Sequence, residues 1–568
     1  MVAIDRRIGW IFVAFVALLV AAVARAGYLG VIKAGTLQQA AVSEHIVNEP
    51  LPAPRGSIVD RNGVELALSE AADEVVVDPF LINRLSAGET FSAARRLAPL
   101  VSMPFAKVLA TITRTHSGYA VLAQQVTPAM AHRILALNIN GISTIPESQR
   151  VYPLSWTASQ VLGGVNSHGG DDGLEYEYNS VLTGRVGERR IVDDAIGQTV
   201  SVDDVRQMRA GRTLKLTLDA ALQNYVEQVL AGVGRLYRPK GATAIVMDPN
   251  SGAILALANW PRIDANDPAG APAQDLMDRA VGYSYEPGST FKAITVSGAL
   301  QEGLVNPSTQ IYVPSVLQVF DRQIRDAEPH PSEMLSVSQI LKRSSNIGAD
   351  KIGMMLGADR FNYWVRRFGF GSRTGVDLPG EQTGIVLEPS KYSGASMGNL
   401  PMGQGESVTP IQMAAAYSAI ANGGILRTPH IVAAVGGRAH PVPAGHRIIS
   451  QETASEMRDM LRGVLADGGT ASGAAIHGYD LAGKTGTANV AVDGHYSKTE
   501  YIASFIGMVP AAAPKLVVAV MVDEPQGSIY GGTVAAPAFK KIVGWAVPYL
   551  GINPNPAGIA TDQLAAGG

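Results

Sequence analysis

Glu286-Pro287-Gly288-Ser289-Thr290-Phe291-Lys292 is the stretch on which the reading of this 568-residue chain turns. Glu-Pro-Gly is a breaker sequence, so Ser289 is expected in the first turn of the helix that follows. Free backbone N–H groups and the positive end of the helix dipole lie there and stabilise developing negative charge. An i, i+3 spacing returns to the same helix face, which is expected to set the Lys292 amine beside the Ser289 hydroxyl. An unactivated serine hydroxyl is a poor nucleophile at neutral pH, so a base must stand within hydrogen-bond reach. An amine can be that base only if it is substantially neutral. Burial among apolar groups such as Phe291 and Ile294 can achieve this, or a cationic neighbour, for which Lys484 is the candidate.

Two further motifs follow in order. In Ser344-Ser345-Asn346 the outer residues stand at i and i+2. In a tight loop between helices both can face a cleft, offering a hydroxyl to relay protons and an amide to bind a substrate peptide group. The plainer reading is a helix N-cap, for which Ser and Asn are common choices. Lys484-Thr485-Gly486-Thr487 reads as an edge strand whose glycine lets a substrate backbone approach closely. The hydroxyls of Thr485 and Thr487 can hold a substrate carboxylate, and the N–H groups of Thr487 and Ser289 would form an oxyanion hole. This motif has a rival. Gly478-Tyr479-Asp480-Leu481-Ala482-Gly483-Lys484-Thr485 satisfies the phosphate-loop pattern, and Asp523-Glu524 follows an apolar run. A phosphate loop needs a strand before it and a helix after it, yet 470–477 is rich in Gly and Ala and Gly486 would interrupt the helix.

Outward from these motifs, residues 242–247 and 253–258 are apolar runs joined by Asp248-Pro249-Asn250-Ser251-Gly252, a strand, turn and strand. Helical spacing dominates 289–425, with a start signal at Thr409-Pro410. Strands return at 501–509 and 516–522, followed by a helix over 535–550. Strands at both ends with helices between imply one antiparallel sheet flanked by helices. In the N-terminal half, Asn62-Gly63 is the best hairpin signal. Helical spacing is expected over 90–138, and short strands with Gly-rich turns over 140–235.

Residues 8–24 carry no charge and read as a membrane anchor that 26–32 could extend past Arg25, although a cleaved signal peptide matches the same stretch. The positive-inside rule does not decide its orientation. Net charge is −3 without a basic block, which recommends no nucleic-acid partner. There is no cysteine, which excludes disulfides and thiol catalysis, and the ten histidines show no His-Glu-x-x-His spacing, so neither metal nor cofactor is expected.

Taken together, the motifs resemble those of a class B penicillin-binding protein over nearly the whole chain. The three catalytic motifs occur in family order behind an N-terminal anchor. Arg55-Gly56 with Asp60-Arg61-Asn62-Gly63 resembles a box of the family's pedestal, as do Arg150 with Tyr152-Pro153 and Gly173-Leu174-Glu175. Gly403-Gln404-Gly405 and Tyr530-Gly531-Gly532 fall where the catalytic domain has glycine-rich segments. Tyr285-Glu286-Pro287-Gly288-Ser289 and Asn346 are similar to the division-specific branch; elongation-specific members usually have Asp at the latter position.

The resemblance implies an α+β multidomain chain. A transpeptidase domain with an antiparallel sheet and a helical subdomain would stand on an elongated mixed pedestal behind one transmembrane helix. The expected divisions are a tail and anchor at 1–32, a linker at 33–54, a pedestal at 55–225, a catalytic domain at 226–552 and a disordered tail at 553–568. Neither PASTA repeats nor a glycosyltransferase domain is recognisable.

The implied activity is D,D-transpeptidation of peptidoglycan stem peptides in septal synthesis, with covalent inhibition by β-lactams. The implied partners are a SEDS-family glycan polymerase and other divisome membrane proteins, and the bulk of the chain would lie on the periplasmic side of the cytoplasmic membrane. By resemblance, Ser289 attacks the penultimate D-Ala carbonyl with Lys292 as base, and Ser344 with Lys484 passes the proton to the leaving D-Ala. Asn346 holds the donor peptide, and Thr485 and Thr487 bind its carboxylate. Rival readings are an elongation-specific transpeptidase, a D,D-carboxypeptidase and a divisome scaffold with a vestigial site. A β-lactamase would need a placed glutamate, for which 347–483 offers no clear candidate.

Overall fold

The computed structural model describes residues 2–33, 46–166, 168–193, 199–492 and 495–554. It divides into two interleaved compact units: Met1–Pro54, Ala71–Gln149 and Gly184–Gly211 form one, and Arg55–Glu70, Arg150–Thr183 and Arg212–Gly568 the other.

In the first unit, helix α1 (Val2–Gly27) runs uninterrupted past Arg25 into a further turn at Tyr28–Ile32. The apolar stretch Ile8–Ile32 is 25 residues, about 37 Å at 1.5 Å per residue, enough to cross a bilayer core of about 30 Å. Residues 46–51, expected within a linker, instead form a strand, Ile46–Leu51, antiparallel to Gly187–Asp193. β-Branched Ile46 and Val47 suit a strand, and Pro50 is tolerated because this is the edge of its three-stranded sheet. Residues 34–45 lie outside the described residues, as does the expected tail beyond Pro554. The helical spacing expected over 90–138 resolves into Ala87–Leu97, Phe105–Ile112 and Pro128–Leu135, but Ala120–Val126 intervenes as a strand. There Ala120 and Leu122 are buried while Val121 is exposed, the period of two that marks a half-buried strand.

The second unit joins segments distant in sequence. Asn62-Gly63 does turn a hairpin, Ile58–Val59 against Glu65–Val77, with Gly63 at φ +92°. The three box segments meet on Glu175, whose carboxylate is fully buried. Arg55 Nε donates to its Oε2 at 2.5 Å and Arg150 Nη2 reaches its Oε1 at 2.6 Å. Asp60 accepts from the N–H of Ala220 at the start of helix α2 (Ala220–Tyr237), tying the hairpin to that helix.

The sheet of this unit contains β1 (Gly241–Met247), β2 (Ile254–Trp260), β3 (Ala482–Val492), β4 (His495–Val509) and β5 (Leu516–Asp523), all antiparallel in the order β2-β1-β5-β4-β3. Every residue of β1 and β5 is buried. The reason lies in the alternation of the strand: Ile245 and Met247 enter one hydrophobic core while Ala242, Ala244 and Val246 enter another. Helix α2 and the C-terminal helix Gly531–Tyr549 cover the second face. The first face meets a helical region containing α3 (Lys292–Gln301), α4 (Val337–Arg343), α5 (Asn346–Arg367), α6 (Pro410–Ala421) and α7 (Gln451–Arg462). Thr409 and Gln412 form a capping box at the start of α6, as the Thr-Pro signal predicts.

Candidate active site

Glu286-Pro287-Gly288 does not run directly into an α-helix. Residues Gly288–Phe291 form one 3₁₀ turn, and α3 begins at Lys292. With three residues per turn, positions i and i+3 eclipse, so Ser289 and Lys292 stand in line. Gly288 has φ +54°, and a Cβ there would come within 3.0 Å of the Ala488 Cβ and 3.1 Å of the Thr487 carbonyl oxygen. The turn is held from within by Thr290 Oγ1 donating to Pro287 O at 2.8 Å. From α6, the fully buried Tyr417 donates its hydroxyl to Thr290 O at 2.7 Å.

Ser344 ends α4 in the left-handed conformation, φ +62°, and Ser345 then caps α5 by accepting from Gly348 N at 2.9 Å. The plain N-cap reading therefore holds for Ser345, while the reversal of chain direction frees the groups of Ser344. Lys292 Nζ donates to Ser344 O at 2.6 Å and to Asn346 Oδ1 at 2.7 Å, and stands 3.4 Å from Ser344 Oγ. Lys484 Nζ donates to the same Ser344 Oγ at 2.8 Å. Two lysines 192 positions apart in the chain thus meet on one hydroxyl, and both are completely buried.

Burial dominates the electrostatics. It lowers Lys292 from 10.5 to about 8 against the opposing pull of Asp326 and Asp350. It also lowers Lys484 well below its usual range, with the positive charge of Lys292 adding to the effect. The repulsion between the two amines is mutual, so each opposes protonation of the other.

Three features of the site bear on the expected roles. The Ser289 hydroxyl makes no hydrogen bond to either amine among the described residues; Lys292 is drawn instead to the carbonyl and amide oxygens offered by Ser344 and Asn346. The Asn346 amide is occupied within the protein, since its Oδ1 accepts from Lys292 and its Nδ2 donates to Arg325 O at 2.9 Å. The Cβ side of Gly486 is packed. A Cβ there would lie 2.3 Å from Ser504 Oγ and 3.0 Å from Pro287 O, so the glycine serves the packing of β3 on the serine's turn.

Lys484 to Thr487 do lie on an edge strand, β3. Thr485 Oγ1 is 2.8 Å from Thr470 Oγ1, and Thr487 Oγ1 accepts from Gly531 N at 3.1 Å. That bond accounts for the Tyr530-Gly531-Gly532 segment, because a Cβ on Gly531 would sit 2.3 Å from Gly486 O. The nucleotide-binding rival fails: Lys484 and Thr485 are within a strand that continues to Val492, where a phosphate loop would enter a helix.

Residues that the sequence reading passed over complete the surroundings. Asp326 accepts from Asn346 N at 2.6 Å and Ile347 N at 3.0 Å, fixing the start of α5. Asp350 is fully buried with both carboxyl oxygens unpartnered, and burial raises it well above the usual range. Its i+4 spacing from Asn346 puts it on the same face of α5, a signal of position and not of burial. Glu406 is a buried glutamate between Asn346 and Lys484, but burial pushes it up to about 8. It is therefore largely protonated at neutral pH and is a poor base for water.

The model of the penicillin-binding protein transpeptidase domain matches residues 242–544, and that of the penicillin-binding protein dimerisation domain matches residues 50–216. The chain is 34% identical to stage V sporulation protein D of Bacillus subtilis, over 94% of this chain and 84% of that protein. It is 30% identical to peptidoglycan D,D-transpeptidase FtsI of Escherichia coli K12, over 94% and 90% respectively. Its fold is similar to the crystal structure of penicillin-binding protein 3 of Mycobacterium tuberculosis complexed with aztreonam, with a TM-score of 0.70 at 30% identity, covering 89% of this chain and 98% of that one. With a family model on each half and relatives that align from one end nearly to the other, this chain belongs to the class B penicillin-binding proteins.

Proposed function

We propose that this protein is a peptidoglycan D,D-transpeptidase of septal cell-wall synthesis that works through an acyl-enzyme on Ser289 and is inhibited by β-lactams. The observation that supports it best is the meeting of two buried, pKa-lowered amines on the Ser344 hydroxyl, beside the turn that presents Ser289.

In the first half-reaction Lys292 takes the Ser289 proton as Oγ attacks the penultimate D-Ala carbonyl. The oxyanion forms against the backbone N–H groups of Ser289 and Thr487. The C–N bond to the terminal D-Ala breaks, and its nitrogen receives a proton by way of Ser344 and Lys484. In the second, the amine of a neighbouring stem peptide attacks the ester, restores Ser289 and leaves a new amide as the cross-link. Asn346 holds Lys292 in the resting site and would meet the donor peptide once that bond is exchanged. Thr485 and Thr487 would take the substrate carboxylate, and Gly486 lets their strand pack on the serine's turn.

The working layout is a pedestal at 55–225 and a catalytic domain at 226–552. The apolar N-terminal helix anchors the chain in the cytoplasmic membrane with the bulk on the periplasmic side, where it would work with a SEDS-family polymerase and other divisome proteins. Asn346, with the similarity to FtsI, supports the division role over elongation.

A fluorescent penicillin should label the wild type on one residue and leave Ser289→Ala unlabelled while that variant keeps its far-ultraviolet circular dichroism. Persistent labelling of the folded variant refutes the nucleophile. Tagged protein along the side wall instead of at mid-cell refutes the septal role.

A further inference from the structure

A cavity of about 480 Å³ opens within the second unit, lined from the C-terminal end of α5, from α6 and from the loop after Ile425–Leu426. None of the residues named as catalytic lines it. Its walls hold four guanidinium groups, Arg366, Arg367, Arg373 and Arg427, together with His446 and Thr428, and no carboxylate. The volume falls in the range of small-molecule sites.

Two of the arginines have an account within the fold. Arg366 and Arg367 occupy the last turn of α5, where cations offset the helix dipole. Arg366 pairs with Glu388 at 2.7 Å, and Arg367 donates to the carbonyls of Ile448 and Arg447. Arg373 and Arg427 have no such account. Neither lies on a helix, and neither makes an ion pair or hydrogen bond among the described residues. Arg427 Nε is buried without a partner. A buried donor left unmet keeps its full desolvation penalty, and like charges gathered in one concavity repel. A bound anion relieves both costs.

The charge sets the class. Once Glu388 is set against Arg366, three guanidinium charges remain; a monocarboxylate would leave most of that uncompensated, whereas a phosphate or diphosphate group matches it and suits the planar donor fork of arginine. We propose that this cavity binds a phosphate-bearing anion, clamped by Arg373 and Arg427.

The full-length protein in detergent would be titrated calorimetrically with inorganic pyrophosphate, with dihexanoyl-phosphatidylglycerol and with glutarate. Binding of pyrophosphate alone identifies a soluble phosphate as the source, and preference for the short-chain lipid identifies a headgroup. In either case Arg373→Gln/Arg427→Gln should weaken binding at least tenfold and leave the rate of penicillin labelling unchanged. If the double variant does not fold, Arg373→Gln at its exposed position takes its place, with a threefold loss expected. Failure of both phosphate probes to bind, glutarate binding as tightly as they do, or undiminished binding in a folded variant would overturn the proposal.

Discussion

If Lys292 is the base that activates Ser289, acylation must follow its loss of a proton, and the structure sets where that occurs. Complete burial brings the amine to about 8. The neutral fraction is then about 1% at pH 6, about 9% at pH 7 and about half at pH 8. The second-order rate of acylation by a labelled penicillin, measured at subsaturating concentration, should rise about tenfold from pH 6 to 7, about fivefold from 7 to 8, and less than twofold above that. The same burial appears in stability. Because the native amine is depressed from 10.5 to about 8, the unfolded chain binds more protons between those values, and stability rises with pH across that window. Below pH 8 the full cost, about 3 kcal/mol at 1.36 kcal/mol per unit, is present. Lys292→Met should therefore abolish acylation, and its denaturation midpoint relative to wild type should be most favourable below pH 8 and decline toward pH 10. A labelling rate that is flat from pH 6 to 9, in a protein that remains folded, would refute the assignment of Lys292 as the base.

Ser344→Ala removes the hydroxyl that both amines share, and should lower turnover of a stem-peptide substrate by about 10²-fold with little change in thermal midpoint; product analysis by mass spectrometry checks it. Gly486→Ala forces a Cβ to 2.3 Å from Ser504 Oγ. Overpacking of this kind costs about 1–3 kcal/mol and should also slow penicillin labelling, because the strand is pushed off the serine's turn. Glu175→Ala strands two buried guanidinium groups, a loss of about 3–5 kcal/mol, seen as a lower denaturant midpoint with unchanged labelling of the protein that is still folded.

Much of the site was legible because its signals are local. The breaker before Ser289, the cap at Ser345 and the Thr-Pro start of α6 each act within a few residues of chain. The apolar runs 242–247 and 516–522 read as strands for the same reason. The failures share a cause as well. Ile46–Leu51 is a strand because Gly187–Asp193 lies alongside it, and Ala120–Val126 because it pairs with residues 73–77; neither partner is near in sequence. The packing role of Gly486 was not legible because a missing side chain is informative only once the atoms facing it are known. Asp350 and Glu406 were passed over because an acidic residue in a helix or loop gives no sign of burial.

The sequence alone determined which groups were available: one serine with a lysine a turn later, a second lysine in a strand-forming run, and alternating apolar residues that oblige a sheet to be covered on both faces. Tertiary structure decided what those groups do to one another. Only the packing of β3 on the Gly288–Phe291 turn brings Lys484 to Ser344, and only the removal of water around both amines lowers their affinity for protons. Desolvation depends on every atom that surrounds a charge, and most of those atoms come from distant parts of the chain.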